Sequence, residues 1–117
     1  MFNRIVLILI ITGFIYAQDE QKVVLITGTA YGIGKSTAEL LIDKGHIVYG
    51  GDILVEENLY LNDIGGTALE MDVTNQEHID KAINQIISEQ GRVDVLVNNA
   101  GLGVYGAIED VLSLIHI

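Results

Sequence analysis

A short apolar segment that runs directly into a glycine-rich loop constrains this chain more than any other feature. Residues 23–26 are four consecutive apolar residues, and the loop after them reads Thr27-Gly28-Thr29-Ala30-Tyr31-Gly32-Ile33-Gly34. An unbroken apolar run predicts a strand buried on both faces, as in parallel sheets that helices cover. Three glycines at this spacing permit a tight turn, a close approach of the backbone to a pyrophosphate and close packing of a helix on the strand.

Short apolar runs alternate with helical spacing from Lys22 onward, as a parallel sheet with crossover helices requires. The predicted strands cover residues 23–26, 46–51, 67–71 and 93–97. The predicted helices cover residues 32–44, 56–63 and 74–90, and Gly45 and Gly91 stop the first and the last. The fold class is therefore α/β, a Rossmann-type doubly wound parallel sheet. The right-handed crossover rule predicts the strand order 3-2-1-4.

The last predicted helix has the clearest start signal. Thr74 and Glu77 have the spacing of a capping box, in which Thr74 is the N-cap. The apolar residues that follow recur at helical spacing and predict one face that packs on the sheet: Ile79, Ala82, Ile83, Ile86 and Ile87.

Asp52 ends the second predicted strand, beside the glycine loop in a parallel sheet of this order. A carboxylate at this place can accept hydrogen bonds from both ribose hydroxyls of an adenosine, and it repels a 2′-phosphate. Ile53, not an arginine, follows it, and Lys35 is the one nearby base. These residues favour NAD over NADP, and the alternative for Asp52 is a solvated loop acid.

The glycine loop, together with Asn98-Asn99-Ala100-Gly101 after the fourth strand, resembles the compact subtype of the short-chain dehydrogenase/reductase family over residues 22–111. The resemblance implies that Gly28, Gly32 and Gly34 bind pyrophosphate above Ile33 and that Asp52 selects the adenosine ribose. It also implies that Asp72-Val73 contact adenine and that residues 98–101 flank the nicotinamide ribose. The full set of implied cofactor-binding residues is Thr27, Gly28, Tyr31, Gly32, Ile33, Gly34, Asp52, Ile53, Asp72, Val73, Asn98, Asn99, Ala100 and Gly101.

The activity implied by this resemblance is hydride transfer between NAD(P) and a small alcohol or carbonyl substrate. The catalytic Ser, the Tyr-x-x-x-Lys pair and the assisting Asn of the family fall beyond residue 117, so no catalytic residue is predicted here. Tyr31 and Lys35 have the spacing of that pair but lie in the phosphate loop. We expect the chain to be an inactive, cofactor-binding part of an enzyme that is a homo-oligomer when full length. The alternative is a non-catalytic dinucleotide-binding or structural protein.

Charge and composition exclude several other functions. The formal net charge is -10, with 16 acidic and 6 basic residues, so nucleic acid and anionic lipid are poor partners. Cysteine is absent, which excludes disulfides, thiol catalysis and Cys-ligated zinc. The three histidines are isolated in the sequence, and no metal site is predicted.

Both ends of the chain lie outside the predicted domain of residues 18–111. Residues 1–17 have a base, an apolar core and Ala17, the pattern of a signal peptide, with an N-terminal anchor as the alternative. We expect export to the periplasm or the exterior, or else a membrane-anchored or cytoplasmic protein, since free nicotinamide dinucleotides are chiefly cytosolic. Residues 112–117 resemble sequencing-adapter read-through, with the start of an amphipathic helix as the alternative.

Overall fold

Four parallel strands with helices between them make up residues 20–101, the part of the chain that the computed structural model describes. The strands are β1 (Val23–Thr27), β2 (Ile47–Asp52), β3 (Thr67–Glu70) and β4 (Val95–Val97). The helices are α1 (Gly32–Asp43), α2 (Val55–Asn58), α3 (Tyr60–Ile64) and α4 (Gln76–Gln90). The sheet order is β3-β2-β1-β4, which confirms the predicted class and strand order. The predictions for residues 1–17 and 112–117 lie outside the described residues.

β1 is one of the two inner strands of the described sheet and pairs with a neighbour on each side. Leu25 lies opposite Tyr49 of β2 and opposite Leu96 of β4, in parallel register. All five residues of β1 are buried, as the unbroken apolar run predicts.

The two faces of the sheet carry separate apolar clusters. Val23 and Leu25 belong to a cluster with Ala82 and Ile86 of α4. The alternate residues of β1, Val24 and Ile26, belong to a second cluster, with Ala38 of α1. Because successive side chains of a strand point to opposite faces, α1 and α4 cover opposite faces of the sheet.

α4 begins one residue later than the capping-box pattern predicts. Asn75 is the N-cap, and its side chain accepts a hydrogen bond from the backbone N–H of His78. The prediction of Thr74 as the N-cap is wrong, because the Thr74 hydroxyl donates to Asp72 Oδ1 instead, at 2.6 Å. The Thr74 backbone N–H donates to the same oxygen, so a turn closed by Asp72 precedes the helix.

Element boundaries differ from the predictions by one or two residues elsewhere. The single helix predicted for residues 56–63 is two short helices, α2 and α3, separated by Leu59. β4 is shorter than predicted and begins at Val95. Within residues 20–101, no helix is both long enough and apolar enough to cross a bilayer.

The neighbouring isoleucines of α4 provide a test of how its face packs. Ile86 is 0% exposed and Ile87 is 46% exposed, so the prediction that both belong to the packed face is wrong for Ile87. We expect Ile86→Ala to lower the free energy of unfolding by about 2–5 kcal/mol, since it leaves a cavity in the cluster. Ile87→Ala should cost less than about 1 kcal/mol. Urea unfolding of both variants measures the difference, and equal losses would contradict this packing.

Candidate functional site

Backbone hydrogen bonds join the loops at the carboxyl edge of the sheet. The N–H of Gly28 donates to the carbonyl of Gly51 at 2.7 Å, which ties the glycine loop to the end of β2. The N–H of Met71 donates to the carbonyl of Asp52 at 3.1 Å, which ties the end of β3 to the same place. The predicted residues after β1, β2 and β3 therefore lie side by side along one edge, where open parallel sheets bind ligands.

Two of the three loop glycines are required by close approach of the backbone. Gly28 has φ +78°, and a Cβ atom there would lie 2.9 Å from Cα of Ala100. A Cβ atom at Gly34 would overlap the carbonyl oxygen of Gly28 and the side-chain amide of Asn99. Any side chain at these two positions would push α1 and the loop after β4 away from β1.

Gly32 differs from the other two because it faces open space. Apart from its chain neighbours and the backbone of α1 itself, no atom lies within 4 Å of the position that its Cβ would take. Gly32 is the first residue of α1, and the N-cap residue, Tyr31, makes no capping hydrogen bond with its side chain. The first N–H groups of a helix have no acceptor within the helix and carry a partial positive charge. This end of α1 can therefore bind an anion such as a pyrophosphate.

Large apolar side chains are exposed beside this helix end. Ile33 is 78% exposed, and Tyr31 is exposed in the same turn. Ile53, after β2, and Val73, after β3, are also exposed. Exposed apolar residues grouped around polar groups are typical of a surface that a ligand covers.

Two backbone N–H groups orient the Asp52 side chain, one from the glycine loop and one from the loop that Asp52 itself begins. Its Oδ2 accepts from Ala30 N at 3.0 Å, and its Oδ1 accepts from Leu54 N at 2.9 Å. A carboxylate oxygen can accept a further hydrogen bond, so these contacts orient the group without using all its acceptor sites. Asp52 thus lies directly beside the glycine loop, as the sequence predicts.

Asp72 lies at the exposed end of β3 and accepts two hydrogen bonds from Thr74. The Thr74 hydroxyl and then its backbone N–H hold the pKa of the Asp72 carboxyl below its usual range. The carboxyl is therefore ionised at neutral pH. The N–H of Asp72 donates to Nδ1 of His78 at 3.1 Å, which connects this turn to α4.

The loop after β4 is attached to β1 through the hydroxyl of Thr27. Thr27 Oγ1 accepts from the N–H groups of Asn99 and Ala100, both at 3.0 Å. The side chain of Asn99 donates to the carbonyl of Gly28 at 3.1 Å. Thr27 is buried, whereas Asn98, Ala100 and Gly101 are exposed at the edge. The structure thus brings residues 98–101 beside the glycine loop, and the individual cofactor contacts remain predictions.

The sequence did not reveal a group of polar side chains beside the glycine loop, in which Thr29 and Asn58 are buried and Tyr60 is partly buried. It consists of Thr29, Asn58 and Tyr60, which connect the loop to α2 and α3. Nζ of Lys35 lies 4.6 Å above the centre of the Tyr60 ring. No sequence signal predicts these contacts. Asn58 and Tyr60 lie in a segment whose apolar spacing indicates a short helix but does not indicate which side chains reach the glycine loop.

The described residues contain no metal centre: within residues 20–101, no three His, Asp or Glu side chains are grouped so that they could hold an ion. The charged groups near the edge include the carboxylates of Asp52 and Asp72 and the ammonium of Lys35. This arrangement suits an organic ligand that has a phosphate group and hydroxyl groups.

Comparisons with known proteins agree on one family. The model of the short chain dehydrogenase family matches residues 22–113. The 3-ketodihydrosphingosine reductase of Bacteroides thetaiotaomicron is 50% identical over 91 residues, which are 77% of this chain and 32% of the reductase. The chain therefore spans about a third of the length of such curated relatives.

Two solved structures have the same fold over about a third of their own length. A short-chain dehydrogenase from Streptomyces avermitilis superposes with a TM-score of 0.67 at 36% identity, over 77% of this chain and 34% of that one. A 3-ketoacyl-(acyl-carrier-protein) reductase from Brucella melitensis, complexed with NADH, gives a TM-score of 0.68 at 34% identity. That match covers 72% of this chain and 36% of the reductase.

The hydroxyl of Thr27 can be tested by an isosteric substitution. Thr27→Val should lower the free energy of unfolding by about 1–3 kcal/mol, because it leaves the N–H groups of Asn99 and Ala100 without their acceptor. Thr27→Ser keeps the oxygen and should cost less. Thr37→Val, which removes an exposed hydroxyl bond within α1, serves as the control and should stay within about 0.5 kcal/mol. Equal losses for Thr27→Val and Thr37→Val in urea unfolding would contradict the role of Thr27.

Proposed function

The chain belongs to the short-chain dehydrogenase family, and from this premise we propose that it binds NAD along the carboxyl edge of its sheet. The whole protein would transfer a hydride between NAD and a small alcohol or carbonyl substrate. One observation supports this proposal most strongly. The exposed N-terminus of α1, at the end of the glycine loop, lies beside the Asp52 carboxylate, which accepts a hydrogen bond from that loop.

The residues present fit the pyrophosphate of a dinucleotide. The open space at Gly32 leaves room for phosphate oxygens against the backbone, which a Cβ atom would occupy. The unpaired N–H groups at the start of α1 would donate to those oxygens. Side-chain hydroxyls are not needed for this contact, although Ala30 and Tyr31 stand where the family often has small hydroxyl residues.

The adenosine half would lie over the ends of β2 and β3. Asp52 would accept hydrogen bonds from the ribose hydroxyls, and the exposed side chains of Ile53 and Val73 would contact the adenine ring. Asp72, ionised at neutral pH, would accept from the exocyclic amine of adenine. The position of Asp52 supports NAD in preference to NADP, because its charge opposes a 2′-phosphate.

The nicotinamide half would lie toward the loop after β4. Residues 98–101 are held against β1 by Thr27, and their exposed backbone would flank the nicotinamide ribose. A bound nicotinamide ring would supply the hydride chemistry, while the described residues bind and orient the dinucleotide. Tyr31 and Lys35 lie in the phosphate loop, so the proposal assigns the proton-moving Ser and Tyr-x-x-x-Lys pair of the family to none of the described residues.

Assembly and location follow as parts of the same proposal. We propose a homo-oligomeric enzyme and export directed by residues 1–17, with an anchored or a cytoplasmic protein as the alternatives. The acidic charge supports a small-molecule ligand and not nucleic acid as the partner.

Cofactor choice gives a direct test of Asp52. Asp52→Asn keeps the shape of the side chain and removes the charge. We expect the NAD:NADP affinity ratio to fall by about ten-fold, because ribose hydrogen bonds to a charged group are lost and the repulsion of the 2′-phosphate disappears. Calorimetric titration with both dinucleotides measures the ratio. Asp43→Asn removes an exposed carboxylate at the end of α1 and should leave the ratio unchanged, and tighter NADP binding by the unaltered chain would refute the preference for NAD.

Sequencing the gene tests the proposed hydride transfer. Reading the locus past the codon for Val111 should reveal a Tyr-x-x-x-Lys pair within a predicted helical segment. A continuing reading frame without that pair would favour the alternative, a non-catalytic dinucleotide-binding protein. Hydride transfer is then measured on the complete gene product by absorbance of the reduced cofactor.

A further inference from the structure

One peptide group of the glycine loop is held at both its polar atoms by side chains from other elements. The carbonyl oxygen of Thr29 accepts from the hydroxyl of Tyr60 in α3, at 2.6 Å. The N–H of the same peptide, that of Ala30, donates to Oδ2 of Asp52 at 3.0 Å. The orientation of this peptide is therefore fixed by two side chains, one in α3 and one at the end of β2.

The side chain of Thr29 is held as firmly as its backbone. It is 0% exposed, and its hydroxyl donates to Oδ1 of Asn58 at 2.7 Å. The Asn58 amide in turn donates to the carbonyl of Gly50 at 2.8 Å. A Cβ atom at Gly50 would overlap the Thr29 and Leu61 side chains, so this glycine leaves the room that Thr29 occupies.

The surroundings of Tyr60 keep its hydroxyl protonated, so that it can donate a hydrogen bond. Burial and the negative charges of Glu39 and Asp52 raise the pKa of Tyr60 to about 12. The phenol is therefore protonated at any pH at which the protein would work, and it donates to Thr29 throughout. The ammonium of Lys35 lies over the face of the Tyr60 ring, where a cation is attracted to the aromatic face.

We infer that Tyr60 and Asn58 are positioning residues that determine how strictly Asp52 distinguishes NAD from NADP. They lie outside the ligand-facing residues and act through the Thr29–Ala30 peptide, whose N–H orients the Asp52 carboxylate. The inference rests on the proposed function, since it assigns these residues to the binding of a dinucleotide ribose. Without the Tyr60 hydroxyl the peptide can tilt, and the carboxylate loses one of the two N–H groups that orient it.

A purely structural role for the same residues makes a different prediction. If Tyr60 only stabilised the fold, its loss would lower the unfolding temperature but leave the affinity of the folded protein unchanged. A positioning role changes the ratio of the two affinities at a temperature where the variant is fully folded. The ratio is therefore the measurement that separates the two roles.

Tyr60→Phe is the first variant, because it removes one oxygen and keeps the ring under Lys35. Tyr49→Phe is the matched control: Tyr49 is a buried tyrosine, and its hydroxyl accepts from Gln90 of α4, on the other face of the sheet. Calorimetric titration of the full chain with NAD and with NADP gives the dissociation constants. We expect Tyr60→Phe to weaken NAD binding about five-fold, with NADP binding changed less than two-fold. Tyr49→Phe should leave both constants unchanged.

Thr29 gives a second pair of variants that does not depend on Tyr60. Thr29→Val keeps the shape and removes the hydrogen bond to Asn58, and Thr29→Ser keeps the hydroxyl. NAD binding should weaken several-fold in Thr29→Val and be largely retained in Thr29→Ser. This pair decides the question if Tyr60→Phe does not fold.

The outcomes separate this inference from the function on which it rests. If the unaltered chain binds neither dinucleotide, the proposed function fails and the inference fails with it. If the unaltered chain binds NAD and Tyr60→Phe binds both dinucleotides as the unaltered chain does, the inference alone is overturned. Equal losses of NAD affinity in Thr29→Val and Thr29→Ser would overturn it as well.

Discussion

The close approach of two loops at the carboxyl edge of the sheet is the constraint on which the rest of the site depends. Gly28 lies against Ala100, and Gly34 lies against Gly28 and Asn99, in spaces where a Cβ atom would not fit. This contact brings α1 down onto β1 and at the same time brings the loop after β4 to the glycine turn. The N-terminus of α1 consequently faces the open edge between the two halves of the site.

Some polar groups of the glycine loop make hydrogen bonds within the protein, and others have no partner in the helix that follows. The peptide between Thr29 and Ala30, and the hydroxyl of Thr27, are used within the protein. The first N–H groups of α1 have no partner in the helix and are available to an anion. Such a division allows one loop to be rigid and to bind an anion, because the groups that hold it in place are not the groups that contact the ligand.

The fold could be predicted well because its signals are local and agree with each other. The apolar run of β1, the glycines that end α1 and α4, and the alternation of strands with helices determine the class and strand order. The errors arise where a local pattern has two physical solutions. Thr74 can cap a helix or bond to Asp72, and Ile87 lies at the margin of a helix face, so the neighbouring side chains decide each case.

What the sequence by itself determined is the order of the strands, the place of the glycine turn and the presence of Asp52 beside it, since each depends on residue types at short spacing. Only the tertiary structure decided that Thr27 bonds to the loop after β4 and that Tyr60 and Asn58 reach back to Thr29. These contacts join residues about 30 and 70 positions apart, over which residue spacing carries no information. They follow from which side chains the packed sheet brings within hydrogen-bond distance.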